Sequence, residues 1–547
     1  MLRGEVMGNI KQIGNTLHVE WNKFDIEGYM LFLQSKGLPE YNLKYYEDND
    51  TYKLTCPSRF AHIFGIEERQ NIRQWLPKNK FLFDYQDYII YQFALPLKRY
   101  AIWADTGLGK TIMMLELARQ VAHKTGGRVL LISPLNILPQ TLDEKQKFYG
   151  DEFEIEMIQD RKSLKWFAKS EGQGIGIVNP EKFIPRKGDA ETISECQFLS
   201  GCLLDEASIL KGGGGTIKWA LIKSCRGIEY KYTFTATPAP NDVMEYASQG
   251  SFLEKLRNEG EILWTFYTRT KDGKFKIKDH AKSAFYRFMA GWSIYLRNPK
   301  RYGFKDILKD IPDPITKEYI IPITDEQKKM VMDKPDKTGQ LAMFPTSDEK
   351  LEMIDRIKYS EIAKGFIYEG KNGNRKSIPV PSLKPQFVAD LIMIDLKEGR
   401  QVLTWTIFDE ESKIIFDLID QKGFTIKVLT GKVPKAKRMP IIEDFRIGKI
   451  DCLITKASLL GYGLNFQNCT SNVISGFNDS EEQRYQLERR TMRYGQIKAV
   501  KFHYPYIKEL EGVVYDNINQ KRERIQAEVR IMENYYIKAM EELSNGR

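Results

Sequence analysis

Short apolar runs closed by loop residues and separated by helix-length amphipathic stretches recur in two series along this 547-residue chain. The first series holds VLLISP (Val129–Pro134), GIGIVNP (Gly174–Pro180), CLLDEA (Cys202–Ala207) and YTFTATP (Tyr232–Pro238). The second, from about Pro385, holds QVLTWTIF (Gln401–Phe408), TIKVLTG (Thr425–Gly431), DCLITKA (Asp451–Ala457) and NVISGF (Asn472–Phe477). Runs that stay apolar without alternating suit parallel strands, because helices cover both faces of such a sheet. The expected fold class is α/β, with two parallel-sheet lobes in tandem. The length agrees, since roughly 100–200 residues make one domain.

Other segments read differently. Residues 1–75 form a small α+β unit: Leu17, Val19 and Trp21 alternate as in a half-buried strand, DIEGYMLFLQSKG reads as a short helix, and YNLKYYEDNDTYKLTC as two strands around a turn. The first lobe is expected over 76–250, a helical, aromatic and basic insertion with a linker over 251–380, and the second lobe over 381–512. The tracts DGKFKIKDH and YEGKNGNRKS within the insertion read as exposed loops. Residues 513–547 form an amphipathic helix whose stripe is Ile525, Val529, Met532, Tyr536, Met540 and Leu543.

Composition narrows the function classes. Hydrophobic residues at 42% and charged residues at 29% are those of a globular protein with real cores. There is no run of about 18 apolar residues, so no membrane partner is expected. The N-terminal stretch lacks the apolar core of a secretory signal, which points to the cytoplasm. The six cysteines form no CxxC pair and have no nearby histidine, so reduced thiols and no structural zinc are expected. A net charge of +10 suits a polyanionic partner.

The stretch ADTGLGKT (Ala104–Thr111) follows the strand-like RYAIW and precedes the helix-like TIMMLELARQVAH. A phosphate loop needs glycines so that backbone N–H groups close on phosphates, a lysine for the outer phosphates and a hydroxyl for Mg²⁺. Gly107, Gly109, Lys110 and Thr111 supply these, although Ala104 stands where the full GxxxxGKT form has its first glycine. The run CLLDEA then puts Asp205 and Glu206 at a sheet's carboxyl edge, where ligands of open α/β sheets sit. Asp205 is suited to share the Mg²⁺ with Thr111, and Glu206 to orient and deprotonate a water.

With these strings in place, a resemblance emerges. DTGLGKT, LDEAS and TFTATPAPN resemble motifs I, II and III of superfamily 2 helicases and translocases, in their Snf2-like branch. FDYQ (Phe83–Gln86) stands where that family carries an adenine-reading glutamine, ISPLNILPQ (Ile132–Gln140) resembles motif Ia, and IPITDEQKKM (Ile321–Met330) resembles the opening of the second lobe. LLGYGLNFQNC (Leu459–Cys469) resembles motif V, with Gly461, Gly463 and Asn465 in register; QRYQLERRTMRYGQ (Gln483–Gln496) resembles motif VI in its RxxRxGQ form. Ser208 replaces the usual histidine of motif II, and LKGGGG (Leu210–Gly215) follows it, with Lys211 matching a lysine often found there.

The resemblance implies two RecA-like lobes with an ATP cleft between them. It implies that Gln86, Thr106, Gly107, Leu108, Gly109, Lys110, Thr111 and Gly463 bind ATP, and that Thr111 and Asp205 hold Mg²⁺. Lys110, Glu206 and the arginine fingers Arg490 and Arg493 would carry hydrolysis, with Ser208, Thr235 and Thr237 coupling it to movement. Asn136, Lys211, Gly431 and Asn465 are the implied grips on the phosphate backbone of duplex or branched DNA. The expected protein is a monomeric DNA translocase resembling compact phage or bacterial members, working in a bacterial cell or a phage-infected host. A strand-separating DNA or RNA helicase and a non-hydrolysing ATP switch are the alternatives. Residues 1–75 either recognise a DNA structure or pack on the first lobe.

Overall fold

The computed structural model describes residues 9–13, 16–22, 42–46, 51–57, 60, 64, 73–135, 137–186, 188–210, 215–238, 244–269, 275–305, 311–332, 353–370, 376–419, 423–457, 459, 465–476, 480–493 and 495–545. It divides into two compact units, Met1–Lys305 with Ile531–Arg547, and Asp306–Arg530.

The first unit opens with an antiparallel sheet of β1 (Asn9–Ile13), β2 (Thr16–Asn22), β3 (Asn42–Tyr46) and β4 (Thr51–Pro57), ordered β1-β2-β4-β3. The alternation in β2 buries Leu17, Val19 and Trp21 against Leu54, Cys56 and Phe64. The helix expected over residues 25–37 lies outside the described residues.

Next come β5 (Arg99–Ala104), β6 (Arg128–Ile132), β7 (Ile155–Ile158), β8 (Gly174–Val178), β9 (Gly201–Leu204) and β10 (Tyr230–Thr235). A hairpin, β11 (Tyr267–Arg269) and β12 (Phe275–Ile277), precedes β13 (Ser293–Leu296). Seven of these strands make one parallel sheet, ordered β13-β5-β10-β9-β6-β8-β7. Every residue of β9 and β10 is buried, which is why those runs do not alternate.

The second unit contains β14 (Ile315–Ile320), a hairpin of β15 (Phe366–Glu369) and β16 (Lys376–Pro379), then β17 (Val402–Thr406), β18 (Ile426–Leu429), β19 (Cys452–Lys456), β20 (Ser471–Ile474) and β21 (Lys501–Tyr506). Six strands form a second parallel sheet, ordered β14-β21-β20-β17-β19-β18. Its core has two parts: Leu403, Trp405, Leu453 and Phe502 fill one, and Val402, Ile454 and Val473 pack with Val388 and Ile392 in the other. Residues 251–380 supply an edge strand to each sheet, β13 to the first and β14 to the second.

A single helix, Lys508–Asn545, ends the chain. From Ile531 on it belongs to the first unit. There Met532 and Tyr536 are buried, the Tyr536 hydroxyl lies 2.6 Å from that of Ser293, and Tyr535 stacks on Tyr286 with ring centroids 4.7 Å apart. Arg301 pairs with Glu533 and donates to Asn534 at 2.7 Å. The side chains of Met540 and Leu543 lie outside the described residues. Among the described residues, no helix is long and apolar enough to cross a membrane.

Candidate functional site

Parallel neighbours end at the same side of a sheet. In the first unit Thr235 stands opposite Trp103, Thr233 opposite Leu204, and Leu204 opposite Ile132. The residues just beyond these strands, Asp105, Thr237, Asp205, Glu206 and Ser133, therefore gather along one carboxyl edge, the usual place for a ligand in an open α/β sheet.

The loop Ala104–Thr111 leaves β5 and enters the helix Lys110–Thr125. Ala104 is the last, fully buried residue of β5, so the glycines begin only where the chain bends. Gly107 and Gly109 have φ of 87° and 70°, the left-handed region that favours glycine. A Cβ at Gly109 would also come within 2.3 Å of Gln86 Nε2, so glycine is demanded there twice over. Such a bend turns N–H groups inward, and the first turn of the helix adds its own N–H groups and the positive end of its dipole.

The loop is held from three sides. Lys110 Nζ donates to the Ala104 carbonyl at 2.9 Å and to the Asp105 carbonyl at 3.4 Å. Asp105 Oδ1 accepts the Thr106 N–H at 2.7 Å and the Thr106 hydroxyl at 3.3 Å. The Tyr85 hydroxyl and Gln86 Nε2 both donate to the Leu108 carbonyl, at 2.8 and 3.0 Å, while Gln86 Oε1 accepts the Phe83 N–H at 2.9 Å. Gln86, expected to face adenine, thus has both ends of its amide bonded within the protein. Leu108 is buried, and Thr111 is half-buried at the start of the helix.

Asp205 is 7% exposed. One of its oxygens accepts the Ser133 hydroxyl at 3.0 Å and the other the Glu206 N–H at 3.0 Å. Burial pushes the carboxyl above its ordinary range, against the opposing pull of Lys110 and these hydrogen bonds. Glu206 has a φ of 48°, a left-handed backbone that costs a non-glycine residue about 1–2 kcal/mol. Strain of this kind persists where the surroundings enforce it, often at functional sites. The turn Ala207–Leu210 sends the Ser208 hydroxyl back to the Glu206 carbonyl at 3.5 Å. Thr235 is fully buried and its hydroxyl accepts the Thr237 N–H at 3.2 Å.

The second unit holds the RxxRxGQ segment. Its helix, Glu481–Thr491, is capped by the Ser480 hydroxyl, which accepts the Gln483 N–H at 3.2 Å. Glu488 anchors it, accepting from Tyr504 at 2.6 Å, Arg484 at 3.2 Å and Arg522 at 3.0 and 3.1 Å. Arg490 is 6% exposed and its carbonyl accepts the Phe466 N–H at 3.0 Å; Arg493 is half-buried. Gln496 Nε2 donates to the Gln467, Thr491 and Cys469 carbonyls at 2.9, 3.2 and 3.3 Å, stapling the end of that helix to the segment that follows Asn465. Asn465 Oδ1 is buried without a hydrogen-bond partner among the described residues. Gly431 is exposed, and its carbonyl accepts from Arg438 at 2.9 Å.

The first unit therefore brings Lys110, Thr111, Asp205 and Glu206 to one edge, and the second carries Arg490, Arg493 and Asn465 on adjoining segments. Asn136, Lys211 and Gly463 lie outside the described residues. Ser133, Asp105 and Tyr85 were not singled out from the sequence. Ser133 does carry a signal, since it follows β6 by one residue as Asp205 follows β9, and the two strands are neighbours. Tyr85 holds the Leu108 carbonyl through its side chain, which no sequence pattern marks, while Gln496, the last residue of the RxxRxGQ form, holds the Gln467, Thr491 and Cys469 carbonyls.

Residues 79–239 match the family described as type III restriction enzyme, res subunit, and residues 383–495 match the helicase conserved C-terminal domain. No curated protein matches the chain. Solved structures that resemble it include the SWI2/SNF2 ATPase core of Sulfolobus solfataricus in complex with dsDNA, at 20% identity over 80% of this chain and 90% of that one, with a TM-score of 0.37. The same organism's SWI2/SNF2 ATPase core domain aligns at 19% identity over 80% of this chain and 88% of that one, also with a TM-score of 0.37.

Proposed function

Because the chain belongs to the superfamily 2 helicases and translocases, which are nucleic-acid-dependent ATPases, we propose that it is a Snf2-type translocase that moves along duplex or branched DNA. Its work would be to remodel that DNA, by branch migration, fork reversal, annealing or displacement of bound proteins. The observation that carries this reading is the single sheet edge where the Gly107–Thr111 loop meets the Asp205–Glu206 pair. The RxxRxGQ form of the arginine segment favours duplex tracking over strand separation, and the net charge of +10 suits a DNA partner.

The roles follow from charge and reach. The loop N–H groups cradle the phosphates of ATP, and Lys110 exchanges its carbonyl partners for the outer phosphates. Gln86 reads the adenine by exchanging its bonds to the Leu108 carbonyl and the Phe83 N–H. The Thr111 hydroxyl and the Asp205 carboxylate fit a Mg²⁺ ion, being a hard oxygen pair at a phosphate cradle. That ion, when bound, neutralises phosphate charge. Glu206 orients the attacking water and takes its proton. Arg490 and Arg493 meet the negative charge that spreads during γ-phosphoryl transfer. Ser208, Thr235 and Thr237 relay the state of the site to the rest of the first unit. Asn136, Lys211, Gly431 and Asn465 grip phosphates, which makes binding sequence-independent and salt-sensitive.

The test is ATP turnover with duplex, single-stranded, forked and four-way DNA and with RNA, in the wild type and in Glu206→Gln. Duplex or branched DNA should stimulate most, and the variant should bind ATP and DNA yet turn over roughly 100-fold or more slowly. Stimulation by RNA alone would remove the DNA-translocase reading, and ordinary turnover in the variant would remove Glu206 from its role.

A further inference from the structure

The stretch from the helix Gly260–Phe266 through β11 and β12 to the helix Lys282–Ala290 contributes nothing to the nucleotide edge. Between residues 260 and 290 it carries seven Lys or Arg against three Asp or Glu, a net +4 in a chain whose total is +10. Apart from Tyr286, which stacks on Tyr535, its aromatic residues divide into two sets. Phe266, Tyr267, Phe285 and Phe288 pack together, with ring centroids 5.5 Å apart for Phe266 and Phe285, 5.6 Å for Tyr267 and Phe285, and 5.7 Å for Phe266 and Phe288. Trp264 and Phe275 instead face outward, 82% and 43% exposed.

A cation stands beside Trp264. Lys278 Nζ donates to the carbonyls of Trp264 and Thr265, both at 3.2 Å, which fixes an ammonium at the very residue that bears the indole. Lys276, on β12, is exposed and projects to the strand face opposite Phe275. A Cβ at Gly260 would meet the Trp264 indole nitrogen at 2.8 Å, so the ring lies close over the bare backbone of its own helix.

An apolar protein groove would take the rings without the cations, and an inorganic anion would take the cations without the rings. A nucleic-acid strand with unpaired bases uses both, because bases stack on aromatic faces while phosphates meet ammonium groups. In a closed duplex those base faces are already stacked. We propose that this helix–hairpin segment binds unpaired nucleotides of DNA, with Trp264 as the stacking platform and Lys276 and Lys278 facing phosphates. The proposal rests on the DNA-translocase reading above and gives that enzyme a preference for DNA with an open strand.

The test uses the full chain and fluorescence anisotropy with two labelled probes: a fork with one single-stranded arm, and a blunt duplex of equal length. Trp264→Ala should bind the fork roughly tenfold more weakly than wild type, bind the blunt duplex equally well, and keep its melting temperature because the ring is exposed. Trp264→Phe should keep most of the fork affinity. An unchanged fork affinity in Trp264→Ala, or an equal loss on both probes, overturns the proposal while leaving the translocase reading standing. A wild-type chain that binds neither probe overturns the translocase reading itself.

Discussion

Gly109 carries two demands at once, a left-handed backbone and the absence of any atom where Gln86 Nε2 lies 2.3 Å from a would-be Cβ. Gly109→Ala would add about 1–2 kcal/mol of backbone strain and push Gln86 off the Leu108 carbonyl. The expected outcome is a folded protein whose affinity for a fluorescent ATP analogue falls at least roughly tenfold, since about 1.4 kcal/mol corresponds to a factor of ten. Wild-type affinity would show that the loop does not depend on this packing. Lys110, Asp205 and Glu206 stand out in the sequence by their residue types and flanking strands, and the structure sets them along one sheet edge. Ser133 and Tyr85 do not stand out, because they act across strand register and through space on atoms far away in the chain.

Among the elements, the strands best read in advance are those buried on both faces, such as β9, β10, β17 and β20. The edge strands gave little signal: β7 and β14 are largely exposed, so their sequences, IEMI and ITKEYI, mix polar with apolar residues. Polar ties between elements were equally hidden. Asp395, on the helix Lys384–Lys397, is fully buried and accepts from Ser471 at 2.5 Å, Lys501 at 2.8 Å and His503 at 2.8 Å, joining that helix to β20 and β21. Burial alone would raise its pKa, but the hydrogen bonds from His503, Lys501 and Ser471 override that and hold it well below the ordinary carboxylate range. A depressed carboxyl contributes stability that is fully present above the unfolded value of about 3.9 and is lost as pH falls through the folded one. Asp395→Asn should therefore cost roughly 3 kcal/mol at neutral pH, and its urea-denaturation midpoint should fall less steeply than that of wild type on acidification. Parallel pH curves for the two proteins would show that the carboxylate is not the acid-labile tie.

At the level of the whole molecule, the first unit is built from two distant parts of the chain. The amphipathic stripe of the last helix was visible in the sequence, but periodicity reveals only that a face is apolar, not which surface covers it. The structure supplies that surface around Ser293, Tyr286 and Arg301. Ending the chain after Arg530 would remove Met532 and Tyr536 from the first unit's core, at a cost of about 3–5 kcal/mol for the aromatic residue alone. Hydrogen exchange should then quicken in β13 and β5 while β17 and β19 keep their protection; unchanged exchange in β13 would show that the helix end is dispensable. During synthesis, the first unit gains the contacts of Met532 and Tyr536 only after that part of the helix has left the ribosome. An interrupted translation product would consequently emerge with the first unit's core lacking the side chains of Met532 and Tyr536.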